Sequence, residues 1–455
     1  MEFLKKDFEE EKVEIKEILK RIKTRNFSGN TGLAIKNSIF QFSTIFIGKI
    51  GSLIFTIIIA RLLMPELFGL YNLALATILL FTAISNLGIG ETLIRFVSKS
   101  LGEKNKKKAK AYLVYFGKIK IFLTFIAILI LVFSAKFISE THYQKPLFLS
   151  LIAGSLYILF FEIVTFFGFI LQASNDFKGI FHKEIIFQIS KIILVPLIVL
   201  FSLKYSLPNE IILFYLILGL TFSYFITAVF MFFVSFKRVN FIKTKKEKLN
   251  SRQTKQANRF LSMTAFLILS GMFFSYIDKI MLGRFVSVEF IGYYSAALGL
   301  VGALSSLIGF GGVLLPIFSR IKDKKLEQSM KKSIRIVLIL GILLFIFTLL
   351  FAPLIILIAY GSNYNPSTNI LRLLSLLIII LPLIGIYSSY FTSQGKPQIV
   401  VKLLILSTLI NVILNYFLIT SLLEYGGLLA TFGAGIATLI SQFFYLGGLI
   451  YSKRK

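Results

Sequence analysis

Apolar residues run along this chain in long blocks, broken only by short polar turns. A bilayer core takes about 20 apolar residues per helix. Twelve blocks meet that length, at roughly 34–60, 68–94, 111–135, 146–171, 180–203, 209–236, 260–283, 290–318, 331–358, 367–392, 397–420 and 426–451. The pattern predicts an all-α polytopic membrane protein of about twelve transmembrane helices. The first block begins beyond residue 30 with no small-residue cleavage site after it, so it is expected to be a mature span. Ahead of it, Leu4, Phe8, Ile15, Leu19 and Ile22 recur at helical spacing among Lys and Glu. That spacing predicts an amphipathic helix lying on the cytoplasmic leaflet.

Composition agrees and narrows the chemistry. Of 455 residues, 56% are hydrophobic and 16% charged, whereas soluble domains carry about a quarter charged residues. The absence of Cys excludes disulfides, thiolate metal sites and cysteine nucleophiles. Two histidines, His142 and His182, leave little for a metal centre, and no cofactor is expected. A formal charge of +29 would suggest nucleic acid in a soluble protein. Here the basic residues crowd into alternate loops, above all KSLGEKNKKKAK at 99–110 and the segment 237–259. The turns after the first, fifth and seventh blocks carry only Arg61, Lys204 and Arg284. The positive-inside rule then places both termini in the cytoplasm and makes nucleic acid an unneeded partner.

The chain also repeats itself. At an offset of 223, Arg61 matches Arg284, Glu66 matches Glu289, Gly69 matches Gly292, Tyr71 matches Tyr294, Ala74 matches Ala297 and Gly88 matches Gly311. Gln172 and Gln394 close the fourth and tenth blocks. Two six-span lobes follow, 31–236 and 260–451, with 1–30 as the N-terminal helix, 237–259 as a basic linker and 452–455 as a tail. Six is even, so both lobes start on the same side and the repeat is parallel. Paired lobes of this kind place a substrate between them and alternate access by rocking.

The stretches IIARLLMPELFGLYNLALATILLFTAISNLGIGETLIRF at 58–96, YIDKIMLGRFVSVEFIGYYSAA at 276–297 and SQGKPQIVVKLLILSTLINVILNYFLI at 393–419 resemble polysaccharide-biosynthesis flippases of the Wzx type. These belong to the multidrug/oligosaccharidyl-lipid/polysaccharide exporter superfamily. The resemblance implies a two-lobed, V-shaped fold and export of a polyprenyl- or dolichyl-(di)phosphate-linked oligosaccharide across the cell membrane. It implies membrane lipids and other glycan-assembly proteins as partners. Related branches carry the peptidoglycan lipid precursor or cationic drugs; with twelve expected spans, the chain is expected to be without the extra C-terminal helix pair of the former.

Charged residues at membrane depth cost about 3 kcal/mol on insertion scales and normally face a cavity or a partner. Lys49 falls near the midplane of the first block. Glu162 and Lys191 fall at equal depth on neighbouring spans and are expected to pair. Asp278 and Lys279 are adjacent, so only one should face the lumen. Lys120 lies deeper than Lys118. Glu91 and Arg95 share a helix face and are expected to pair, and the resemblance places an arginine such as Arg95 at the inner mouth. Lys49, Lys120, Lys191, Lys279 and Arg95 are thus candidate substrate-binding residues for an anionic head group. Glu162, Asp278 and Glu91 are candidates for ion coupling or structural pairing. Asn86, Gln41, Gln188, Asn411 and Asn415 add polar surface. Arg61 and Arg284 are expected to reach head groups, and Gly69 and Gly292 to serve tight outer turns.

No GxxxxGK[ST] loop is present, so ATP hydrolysis by this chain is excluded. The longest loop, about 23 residues, is basic and has no catalytic motif, which argues against an enzyme. A multidrug or cation antiporter on the same fold is the alternative reading. It should show unpaired carboxylates where a flippase shows cations.

Overall fold

The computed structural model describes residues 29–309 and 314–454 apart from 316, 317, 320 and 322. The amphipathic segment expected at 3–22 lies outside the described residues. Helices follow one another with no strand among those residues: α1 (Gly29–Asn86), α2 (Ile89–Gly102), α3 (Lys106–Lys136), α4 (Phe148–Ala173), α5 (Phe177–Lys204), α6 (Asn209–Arg238), α7 (Ser251–Phe285), α8 (Val288–Ile308), α9 (Asp323–Tyr360), α10 (Ser367–Leu374), α11 (Leu377–Ser393), α12 (Pro397–Leu423) and α13 (Gly427–Arg454). Among the described residues, eleven helical stretches are long and apolar enough to cross a membrane.

The first of these stretches, 35–102, holds 68 residues. At 1.5 Å per residue it is far longer than a bilayer is thick. It is two passes: Met64, at φ 60 and ψ 171, reverses the chain, and Pro65 opens the second pass, where its missing N–H leaves no helical bond unmade. The chain thus crosses twelve times. The second pass bends again at Leu87 and Gly88, both with positive φ, before continuing as α2. The helix of the eighth pass runs to Ile308, with Gly309 in extended backbone, and much of the expected remainder to 318 lies outside the described residues. The seventh begins earlier than expected. Asn250 and Gln253 form a reciprocal capping box, which turns the last part of the 237–259 segment into helix and sets Arg259 on α7.

The turns after α2, before α7 and before α12 share one face, called here the basic face, where Lys99, Arg259 and Lys402 come together. The turns at 61–68 and 284–288 share the other, the far rim. Large apolar side chains such as Ile121, Phe133 and Phe233 stand exposed on the outside, as a lipid-facing surface requires. The repeat is visible in space. At Gly69 an added Cβ would lie 1.8 Å from the carbonyl oxygen of Val288, and at Gly292 one would lie 2.1 Å from that of Pro65. Residue 288 is the repeat equivalent of 65, so the two contacts are one contact made twice about a pseudo-twofold axis between the halves. Neither glycine has positive φ. Their role is therefore close helix approach, not the tight turns expected from sequence.

Candidate functional site

The far rim is shut by side chains that cross between the halves. Arg61, at the end of the first pass, donates from Nε to the carbonyl of Ala359 at 2.9 Å and from its other arm to Ile358. Arg284, its repeat mate, donates to the carbonyls of His142 at 2.7 Å and Thr141 at 3.3 Å. Both therefore cap the C-terminal end of the third pass of the opposite half, where carbonyls lack helical partners and the dipole is negative. Tyr364 Oη donates to Ala60 O at 2.8 Å, and Lys145 Nζ donates to Gly283 O at 2.6 Å. Ala60 and Gly283 are again repeat equivalents. Burial first, and then the Arg284 guanidinium, hold the Lys145 ammonium below the usual lysine value. Phe68, Tyr360 and Tyr293 pack around the Tyr364 ring and fill the rim.

On the basic side a groove of about 1,260 Å³ opens between α2, α7 and the α11–α12 corner. Arg95, Lys99, Arg259 and Lys402 line it, with Glu91 as the one carboxylate. Phe260, Met263, Phe266, Leu267, Ile405 and Leu406 supply its apolar walls. The expected Glu91–Arg95 ion pair does not form. Arg95 instead stacks over the Phe260 ring at 4.2 Å, and Glu91 Oε2 is buried without a partner. The halves also touch beside the groove, where Thr264 Oγ1 donates to Gly88 O at 3.2 Å.

Deeper charges are arranged differently from expectation. Glu162 pairs with Lys120, not Lys191. Its carboxylate also takes hydrogen bonds from Ser85 and, at 3.0 Å, from Thr165. Both ion-pair partners are sealed from solvent, so Lys120 is spoken for inside the first half. Lys191 lies over the Phe55 and Phe187 rings at 4.8 and 5.1 Å and reaches Ser52 Oγ at 3.4 Å. Sequence depth placed Lys191 and Glu162 level; helix rotation turned them apart. Lys279 crosses between the halves to Asn72 Oδ1 at 3.0 Å, while Asp278 points into the second half. Lys49 is exposed on α1.

Asp278 has no basic partner. It accepts from Tyr294 Oη at 2.6 Å, Asn415 Nδ2 at 2.8 Å and Thr438 Oγ1 at 2.5 Å. Asn411 joins the cluster through Thr438 at 3.3 Å. The side-chain oxygens of Asn411 and Asn415 are buried with no donor. Tyr294 and Thr438 were not singled out from sequence; Tyr294 was legible only as a repeat match. Lys99 and Arg259 fall within the basic loops 99–110 and 237–259, and Lys402 within the 397–420 block, so none stands out in the sequence.

The family model described as polysaccharide biosynthesis protein matches residues 34–322. The chain belongs to that family. Within the family's fold a second model, MatE, matches residues 284–417. An uncharacterized membrane protein of Methanocaldococcus jannaschii is 23% identical over 409 residues, 84% of this chain and 78% of that one. Among solved structures, the fold is similar to the inward-facing conformation of a multidrug resistance MATE family transporter of the MOP superfamily. That match has a TM-score of 0.68 at 15% identity and covers 92% of this chain and 97% of the other. It is similar also to the lipid II flippase MurJ in an inward closed conformation, with a TM-score of 0.67 at 18% identity, covering 92% and 88%.

Proposed function

We propose that this member of the family is an alternating-access flippase for a lipid-linked oligosaccharide with an anionic (di)phosphate. The observation that carries the reading is the groove at the basic face, with four cationic side chains against one carboxylate and an apolar wall beside them. Lysine supplies point charge for a phosphate and arginine a planar fork. With the basic face in the cytoplasm, the bonded far rim makes this the state that loads from inside. Lys49 and Lys191 would meet the head group further in. Membrane potential, negative inside, favours outward movement of an anion by about 2.3 kcal/mol per charge per 100 mV.

The sharpest test compares surface glycan and drug resistance in one deletion strain. Glycan should disappear with resistance unchanged. Lost resistance with intact glycan would instead favour the cation antiporter.

The Asp278 cluster is the best placed of the acidic candidates for ion coupling. A carboxylate buried without an ion-pair partner is costly. The two unpartnered amide oxygens beside it are the donor set of a small monovalent cation, with oxygen ligands only. Glu162, already neutralised by Lys120, offers no such place. Raising sodium at constant ionic strength should raise the thermal midpoint of the purified protein and leave Asp278→Asn unmoved. Equal response in both proteins would remove the site from the coupling scheme.

A further inference from the structure

A second cavity, of about 350 Å³, lies inside the first half among α1, α4, α5 and α6. Aromatic rings line part of it: Tyr224 lies tilted against Phe187 at 4.2 Å and meets Phe161 edge-on at 5.3 Å. Gln172, Lys183, Glu184 and Gln188 complete the lining, the last three on the same helix as Phe187. Glu184 accepts from Lys183 Nζ at 2.8 Å and from Gln188 Nε2 at 2.7 Å, so its charge is already answered. Gln172 is half-buried, and its amide makes no hydrogen bond to the described residues. Gln188 is buried with its Oε1 unpartnered.

This chemistry differs from that of the groove. Charges inside the cavity cancel, so a phosphate gains little there, and no free carboxylate waits for a drug cation. What the lining offers is donors and acceptors in a mixed array, interleaved with aromatic rings. A neutral polyol with one carbon–hydrogen face suits that combination, since its hydroxyls both give and take hydrogen bonds. The volume lies at the low end of small-molecule pockets, about 300–1,000 Å³, which fits a short saccharide and not a lipid tail. The cavity and the groove flank α2. Phe169, on the cavity wall, presses against Gly90, where an added Cβ would come within 2.2 Å of the ring, and the next residue, Glu91, lines the groove.

We propose that this cavity is a saccharide-binding site, in which Gln172, Glu184 and Gln188 hold sugar hydroxyls beside the Phe187 and Tyr224 rings. The assignment rests on the reading that the ligand is a lipid-linked oligosaccharide, and gives its sugar end a place of its own.

The chain contains no Trp, so one introduced tryptophan reports alone. Purified full-length protein carrying Phe187→Trp would be titrated with free neutral hexoses and N-acetylhexosamines, with Phe161→Trp as the reporter should the first fail to fold. At least one sugar should quench saturably. Gln172→Ala and Glu184→Gln should each weaken that response about tenfold, the worth of one good hydrogen bond to a charged or buried partner. A parallel Phe260→Trp protein would report inorganic diphosphate in the groove. Silence toward every sugar while the groove binds diphosphate overturns the cavity assignment and leaves the flippase reading standing. A sugar response that survives both substitutions also overturns it. A sugar response lost in both variants, with no diphosphate response, keeps the cavity and removes the groove.

Discussion

Reversing two groove charges together, Arg95→Glu with Arg259→Glu, will abolish surface glycan while the protein still accumulates in the membrane. The groove lining changes from three net positive charges to one net negative. Both side chains are exposed, and exposed substitutions away from packed features change stability little, so the loss should be functional. Each reversal exchanges an attraction for a repulsion at a phosphate that must be held while its counter-ions are left behind. A cost of only 1.4 kcal/mol per position is already tenfold in affinity, and the two should compound. Arg95→Lys is the informative control. It keeps the charge but loses the planar fork and the stack on Phe260, so it should lower glycan without eliminating it. The measurement is surface glycan normalised to membrane-inserted protein. Normal glycan in the doubly reversed variant would place the phosphate elsewhere.

The membrane spans were legible because the bilayer imposes one length and one polarity on every pass. The repeat was legible because Gly69 and Gly292, or Arg61 and Arg284, do the same job twice and so keep the same spacing. Partners were not. Glu162 could be assigned a depth, and so could Lys120 and Lys191, but which lysine it meets depends on how α3, α4 and α5 are rotated, and hydropathy carries no such angle. The groove was hidden for a related reason. Lys99, Arg259 and Lys402 lie near the ends of three different helices, where they read as ordinary loop charges, and only folding gathers them around Arg95. The pairing expected for Glu91 and Arg95 failed because Phe260, far away in sequence, offered the guanidinium a ring face. Asp278 was suspected from its depth alone. That Lys279 would turn to Asn72 and form no ion pair with it required the contact between the halves.

Arg61→Ala combined with Arg284→Ala should part the far rim. Each guanidinium binds carbonyls at the negative end of a helix in the opposite half, and the pseudo-twofold axis makes the two attachments equivalent. Tyr364 and Lys145 add a matching pair of bonds to Ala60 and Gly283. Losing one arginine leaves its mate in place, so each single variant should shift the equilibrium modestly. Losing both removes the charge-assisted bonds on both sides of the axis, and their effects should multiply, because two states separated by a few kcal/mol exchange dominance over that range. The chain's lack of cysteine gives a clean readout. Phe68 is almost wholly buried against Tyr364 across the rim, so a Phe68→Cys thiol can meet a membrane-impermeant maleimide added outside only when the halves separate. Labelling should be slow in the parent, somewhat faster in each single variant and at least about tenfold faster in the double. Transport should fall at the same time, since a rim that cannot hold shut admits the outside while the groove is being loaded. Equal labelling in parent and double variant would mean that the apposed Gly69 and Gly292 helices hold the rim unaided, and that these arginines only decorate it.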